Sequence, residues 1–207
     1  MDVLVIGGSR FVGRQLAHRL VMRGDRVTLL NRGTLDDGLG DDVERLVADR
    51  TTDAFDRALV GRRFDAAIDF AAYDASHVER AVRVLDGRVG HYVFVSSGQV
   101  YLVREGCPKP SREEDAEGPA VAAPADSRYR AGWEYGIGKR EAEAVLARAF
   151  ERTAFPATRL RIPVVHGPGD PQKRIAEVVE RLRRDRPMVR ASPSNDAKID
   201  AIVGPCT

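Results

Sequence analysis

The apolar positions of this chain fall into short runs separated by longer stretches in which they recur every third or fourth residue. The short runs predict strands near residues 2–6, 26–30, 43–47, 65–70, 91–96 and 157–163. The stretches between them predict helices near 12–23, 53–60, 75–86, 129–152 and 172–185. Strands that alternate with helices signal βαβ units and a parallel sheet. Six such strands complete a doubly wound α/β sheet with helices on both faces. Right-handed crossovers then bring all the strand C-termini to one edge, where ligands bind.

The segment from Leu102 to Arg128 breaks this rhythm. It carries Pro108, Pro110, Pro119 and Pro124 among many acids and is expected to be a loop. Loops of that length in compact domains are commonly functional lids. Beyond about Arg186 the chain shows Pro, Ser and Asp punctuation and one expected strand at Ile199–Val203. The expected division is a nucleotide-binding domain over 1–170 and the start of a further small region over 171–207.

Composition narrows the class. Apolar residues make up 43% of the 207 positions, ordinary for a globular protein. The first strand opens at residue 2 with no basic and apolar leader before it, and no run approaches the ~20 apolar residues of a membrane span. A cytoplasmic location is expected. The net charge of +2 gives no general case for nucleic acid. The basic stretch from Lys173 to Arg190 reads as a solvated helix face, with a phosphate-bearing ligand as the alternative. Cys107 and Cys206 have no His or Cys neighbours, so no metal site is expected.

The richest chemistry lies at the start. Val3 to Ile6 run into Gly7 and Gly8, then Ser9, Arg10, Phe11, Val12 and Gly13, where a helix begins. Glycines let the backbone turn sharply, and free N–H groups at a helix start favour a negative charge. A dinucleotide pyrophosphate is therefore expected at the tip of the first strand. The second strand ends in Asn31, Arg32 and Gly33. An acid there would repel a 2′-phosphate, whereas Arg32, and Arg10 nearby, would attract one. NADP is thus favoured, with NAD the alternative. Asp49, after the third strand, is placed to accept from an adenine amino group or to cap the next helix. Ala71 and Ala72, after the fourth, are small enough for a cofactor to pass close to the backbone.

Further along, Ser96 and Ser97 end the fifth strand, where a substrate would lie. Tyr135 and Lys139 are four apart and share one helix face. An ammonium near a phenol stabilises phenolate, so the Tyr135 pKa is expected to fall from its usual ~10. That would make Tyr135 a proton donor and acceptor near neutral pH.

In this order the segments VIGGSRFVGR, LLNRG, FVSSGQVY, YGIGK and LRIPVVHGPGD resemble the extended (atypical) short-chain dehydrogenase/reductases of the NAD-dependent epimerase/dehydratase family. The resemblance implies a Rossmann-type sheet. It also implies that Ser97 polarises a substrate oxygen, that Tyr135 is the catalytic acid/base, and that Lys139 holds the nicotinamide ribose. The cofactor would be held by Gly7 to Gly13, Asn31, Arg32, Asp49, Ala71, Ala72, Lys139 and Pro163. Arg10 replaces the usual middle glycine, a variant that accompanies the Asn-Arg-Gly tripeptide and looks similar to chloroplast stem-loop-binding relatives. Gly98-Gln99 stands where sugar-nucleotide dehydratases carry Asp-Glu, which argues against 4,6-dehydration. Val164 stands where sugar-nucleotide epimerases often carry a substrate-touching Asn, which puts a nucleotide-sugar substrate in doubt.

Family members continue into a C-terminal substrate domain, and this chain stops at Thr207. Either the remaining wall of a pocket comes from loop 102–128 and a partner subunit, a homodimer being a family-level expectation, or the product is truncated. Two functions follow. The first is an NAD(P)-dependent oxidoreductase or epimerase acting on a small-molecule carbonyl/alcohol pair. The second is a dinucleotide-binding protein without turnover, serving as sensor, scaffold or RNA-associated relative.

Overall fold

The computed structural model describes residues 1–184, apart from the side chain of Glu177. The expected strand at Ile199–Val203, together with Arg186, Arg190 and Cys206, lies outside the described residues. Strands β1 (Asp2–Ile6), β2 (Arg26–Asn31), β3 (Val43–Val47), β4 (Phe64–Asp69), β5 (Val89–Ser97) and β6 (Ala157–Ile162) form one sheet. All pairs are parallel, and the order is β3-β2-β1-β4-β5-β6. The helices are α1 (Phe11–Met22), α2 (Asp53–Leu59), α3 (Ala75–Leu85), α4 (Gln99–Leu102), α5 (Ser127–Thr153) and α6 (Ala176–Arg183). This is the doubly wound Rossmann-type sheet expected from the alternation of patterns.

The central strand shows why the sheet needs cover on both faces. Val3 to Ile6 are all buried, and alternate residues enter different cores. Leu4 and Ile6 join Phe55 and Leu59 of α2, Val78 and Leu85 of α3, and Ala142 and Leu146 of α5. Val3 and Val5 join Ala17 and Leu20 of α1, with Val27 and Leu29 of β2. An apolar run with no polar alternation is the mark of a parallel strand buried on both sides. Strand order reverses between β1 and β4, so the turns that follow those two strands part there and open the crevice where doubly wound folds bind ligands.

Helix starts differ in a way that matters later. Thr52 caps α2, Asp74 caps α3 and Asp126 caps α5 through side-chain oxygens that accept backbone N–H groups. At α1 the capping position is Arg10, whose side chain makes no such bond, and the first turn carries no acid.

The segment after α4 is a loop with one short 3-10 turn at Glu113–Ala116. Little apolar burial holds it. Arg104 donates from Nε to the Glu117 carbonyl at 2.8 Å and from Nη1 to that of Gly106 at 2.7 Å. Arg140 bonds the Gly118 carbonyl, and Trp133 Nε1 donates to Val121 at 3.0 Å. Trp133 is thus a half-buried helix-side residue that anchors the loop.

Arg161 of β6 donates from Nη1 to the Glu113 carbonyl at 2.6 Å and from Nη2 to Glu143 Oε2 at 2.7 Å. Ser96 Oγ donates to the other carboxylate oxygen at 2.6 Å.

The described residues fall into two units, the first ending at Ile162 and the second opening at Pro163. In the second unit, Arg174 pairs with Asp170 at 3.0 Å and α6 follows. None of the described helices is long and apolar enough to cross a membrane.

A buried ion pair is costly to break, because the surviving partner keeps its desolvation penalty. Glu143→Ala strands Arg161 and should cost about 3–5 kcal/mol on urea denaturation. Arg26→Ala opens only the exposed pair with Asp2 and should leave the midpoint essentially unmoved.

Candidate active site

The β1–α1 turn has the form of an anion cradle. Gly7 takes φ +84°, and a Cβ there would lie 2.9 Å from the Cβ of Ala71. A larger side chain at either position would push the β1 and β4 turns apart. Gly8 and Gly13 are buried, Ser9, Phe11 and Val12 half-buried, and Arg10 exposed. The unpaired N–H groups at the start of α1, with no acid nearby, favour a phosphate. A pyrophosphate therefore fits the residues present.

At the end of β2, Asn31 Oδ1 accepts from Gly33 N at 2.7 Å, which bends the chain and leaves Arg32 exposed. Asn31 shapes this turn through its own side chain. The loop that follows is fastened by Asp37, which is buried. Its Oδ1 accepts from Arg45 Nη2 at 2.6 Å and from Leu39 N at 3.0 Å, and its carbonyl accepts from Arg14 Nε at 2.6 Å. Nothing in the local pattern marks Asp37, whose partner Arg45 comes from β3.

Asp49 does not cap α2, because Thr52 does. Its Oδ1 accepts from Thr51 N at 2.8 Å and Thr51 Oγ1 at 2.7 Å, bonds that hold its carboxyl below the usual carboxylate range.

The chemistry-bearing side chains meet at the end of β5. Ser97 is its last residue; its hydroxyl accepts from Gln99 N at 3.2 Å, and it is near enough to Tyr135 to act on the phenol. Lys139 is 2% exposed and lies one helical turn after Tyr135. Its Nζ donates to the Ala72 carbonyl at 2.6 Å and the Val95 carbonyl at 2.8 Å. It sits 4.7 Å from the Phe94 ring centroid, 5.3 Å from that of Tyr73 and 5.6 Å from that of Tyr135. α5 can come this close because residue 138 is glycine. A Cβ there would lie 2.5 Å from the Tyr73 carbonyl oxygen.

The titration behaviour differs from the sequence expectation. Burial pushes the Tyr135 phenol above its ordinary value, and the Ser97 hydrogen bond recovers part of this. The lysine does not depress it, because the ammonium is turned toward two backbone carbonyls. Burial instead lowers Lys139 to about 8. At neutral pH the unliganded site therefore holds a protonated phenol over a lysine cation.

Several residues of this site had no sequence signal. Tyr73 is exposed, with its ring centroid 6.3 Å from that of Tyr135, so two aromatic rings flank the lysine. Asp69 and Arg50 lie buried beneath the Ala71–Ala72 turn. Pro163, by contrast, which the resemblance named for the cofactor, is exposed and opens the second unit. Among the described residues no His, Cys, Asp and Glu side chains gather as metal ligands would.

Comparison with known proteins agrees with this geometry. The chain matches a chloroplast stem-loop binding protein of 41 kDa (form b) from Arabidopsis thaliana with 29% identity over 180 residues, covering 80% of the chain and 42% of that protein. It thus spans less than half the length of this curated relative. Among solved structures, the UDP-glucose 4-epimerase of Thermotoga maritima superposes with TM-score 0.71 at 18% identity, over 90% of this chain and 64% of that one. The UDP-glucuronic acid 4-epimerase of Bacillus cereus, solved with NAD, gives TM-score 0.68 at 16% identity, over 90% and 64%. These likenesses show the shared fold. The description of the NAD dependent epimerase/dehydratase family matches residues 3–198, and the chain belongs to that family.

Proposed function

We propose that this chain supplies the cofactor-binding and proton-transfer machinery of an NAD(P)-dependent oxidoreductase or epimerase acting on a small-molecule carbonyl/alcohol pair. The observation that carries this reading is the convergence of Ser97, Tyr135 and Lys139 at the sheet edge that also holds the uncapped start of α1. A bound nicotinamide supplies hydride chemistry. The protein's part is to bind, orient and protonate.

Gly7 to Gly13 would hold the pyrophosphate, and the exposed Arg32 would meet a 2′-phosphate, which favours NADP over NAD. Ala71 and Ala72 leave room beside the cradle. The third N–H of Lys139, beyond the two already given to carbonyls, is available for ribose hydroxyls. Ser97 would donate to the substrate oxygen, and Tyr135, protonated at neutral pH, would deliver the proton that turns a carbonyl into an alcohol. The reverse direction asks the raised phenol to lose its proton, which becomes easier as pH rises.

A second reading comes from the relative named for stem-loop binding: a dinucleotide-binding protein without turnover, working as a sensor or scaffold. The near-neutral charge gives it no electrostatic support for RNA. Turnover of any carbonyl with loss of NADPH absorbance excludes it.

Titration with NADPH and NADH in parallel should show tighter NADPH binding. Arg32→Ser should weaken NADPH by roughly 10–100-fold, the worth of a charge-assisted hydrogen bond, and leave NADH unchanged. Equal binding of both by the wild type would remove Arg32 from the 2′-phosphate role.

Once a substrate is found, Tyr135→Phe should lower kcat by roughly 10²–10⁴-fold with NADPH affinity intact. A parallel loss of affinity would instead make Tyr135 a binding residue.

Lys139 serves as a cation, and its pKa is about 8. NADPH affinity should therefore be flat below that pH and fall as pH rises through it. The same slope in Lys139→Met would assign it to another group.

A further inference from the structure

The roles above leave unused a buried polar cluster directly under the Ala71–Ala72 turn. Asp69, the last residue of β4, is wholly buried. Its Oδ1 accepts from Ala71 N at 2.9 Å, Ala72 N at 3.0 Å and Arg50 Nη1 at 2.8 Å. Its Oδ2 accepts from the Tyr92 hydroxyl at 2.7 Å. Arg50, also buried, donates from Nη2 to the His77 carbonyl of α3 at 2.9 Å and lies 5.6 Å from the Phe55 ring centroid. One carboxylate thus ties together β4, β5, the loop after β3 and, through Arg50, α3.

Stability does not explain this arrangement. A buried ion pair often gives nothing over apolar residues of the same volume, and only breaking it is expensive. What an apolar replacement could not do is hold the N–H groups of Ala71 and Ala72. Those two bonds fix the turn whose Ala72 carbonyl receives the Lys139 ammonium at 2.6 Å. Ala71 in the same turn stands where it would touch a Cβ at Gly7. The turn is therefore the joint between the phosphate cradle and the lysine. The charges of Asp69 and Arg50 act on Lys139 in opposite directions, so the pair works on it through shape more than through field.

We propose that Asp69, clamped by Arg50 and Tyr92, is the positioning residue for Lys139, setting where the ammonium stands by holding the Ala71–Ala72 turn. The proposal rests on the reading that a dinucleotide binds this edge. It gives a task to three residues that touch neither substrate nor cofactor.

The test uses the full chain and NADPH, with Trp133, the sole tryptophan, as donor for energy transfer to the nicotinamide. Asp69→Asn should weaken NADPH at least about tenfold, the scale of one lost charged hydrogen bond, and change the transfer efficiency at saturation. In a Lys139→Met background the same substitution should add nothing, since residues acting through one another are not additive. Val27→Ala, buried in the core on the other face of the sheet, serves as a control that lowers Tm without changing affinity or transfer.

Asp69→Asn that lowers Tm alone, or whose loss of affinity adds in full to that of Lys139→Met, overturns the proposal. If Asp69→Asn does not fold, Tyr92→Phe removes one hydroxyl from the same carboxylate. It should weaken NADPH several-fold and non-additively with Lys139→Met. Additivity there overturns the proposal equally. A wild type that binds neither NADPH nor NADH overturns the functional reading itself, and this proposal with it.

Discussion

A lysine cation held almost out of water is the constraint around which this fold is arranged. Lys139 keeps its charge near neutral pH only because two backbone carbonyls, those of Ala72 and Val95, replace the water it has lost. Each carbonyl must be delivered by a different part of the sheet. Val95 lies within β5, where pairing with Leu160 of β6 fixes it. Ala72 lies in the turn beyond β4, where the sheet's ladder has ended, and a buried carboxylate fixes it instead. The glycine at position 138 removes the side chain that would hold α5 away. The glycine motif of α5 thus sets a distance between two elements, and the helix accepts the propensity cost of glycine, about 1 kcal/mol, to achieve it.

The same economy appears one turn further along α5. Glu143 follows Lys139 on the same helical stripe and is buried with Ser96 and Arg161. Successive serines at the end of β5 therefore serve different partners. Ser96 points inward to the structural carboxylate, and Ser97 accepts from Gln99 N at the strand's end. A stripe that reads as polar interruption in a helix pattern is here a sequence of paired groups, each satisfied by an element the helix must meet.

Much of the fold was legible because it rests on local rules. A β-branched run followed by glycines and an amphipathic stretch can only be a strand, a turn and a helix. The six strands expected before residue 170 are found within a few residues of their places, and the family motifs stand in order along them. What could not be read locally is what depends on sheet neighbours. Arg50 and Asp69 are 19 residues apart in sequence, and each looks like an ordinary surface charge until β3 and β4 lie beside β1. Asp37 with Arg45, and Glu143 with Arg161, are hidden for the same reason. Tyr135 and Lys139 were placed correctly on one face, but spacing does not say where an ammonium points. Burial of the phenol then sets the direction of its shift, upward where the spacing suggested a fall. Tyr73 had no signal because an exposed tyrosine in a turn has no pattern of its own.

The two sides of the candidate site are consequently built from different physics. The cofactor side is a consequence of the sheet: strand ends, a bare helix start and turns packed against one another through Gly7 and Ala71. The loop after α4 has no such core. It is fixed by guanidinium groups and one indole N–H that reach its carbonyls, from Arg104, Arg140, Arg161 and Trp133. Bonds of this kind hold backbone, so most exposed side chains of the loop can change without loss of the anchors that come from α5 and β6. Apolar packing would tie side-chain identity to stability, as it does in β1. On the proposed reading, a cofactor site fixed by the core beside a loop held through its carbonyls is a division that would let substrate preference vary while dinucleotide binding is kept. In this chain Arg161 joins the two, because the guanidinium that bonds Glu113 in the loop also satisfies Glu143 on the helix that carries Lys139.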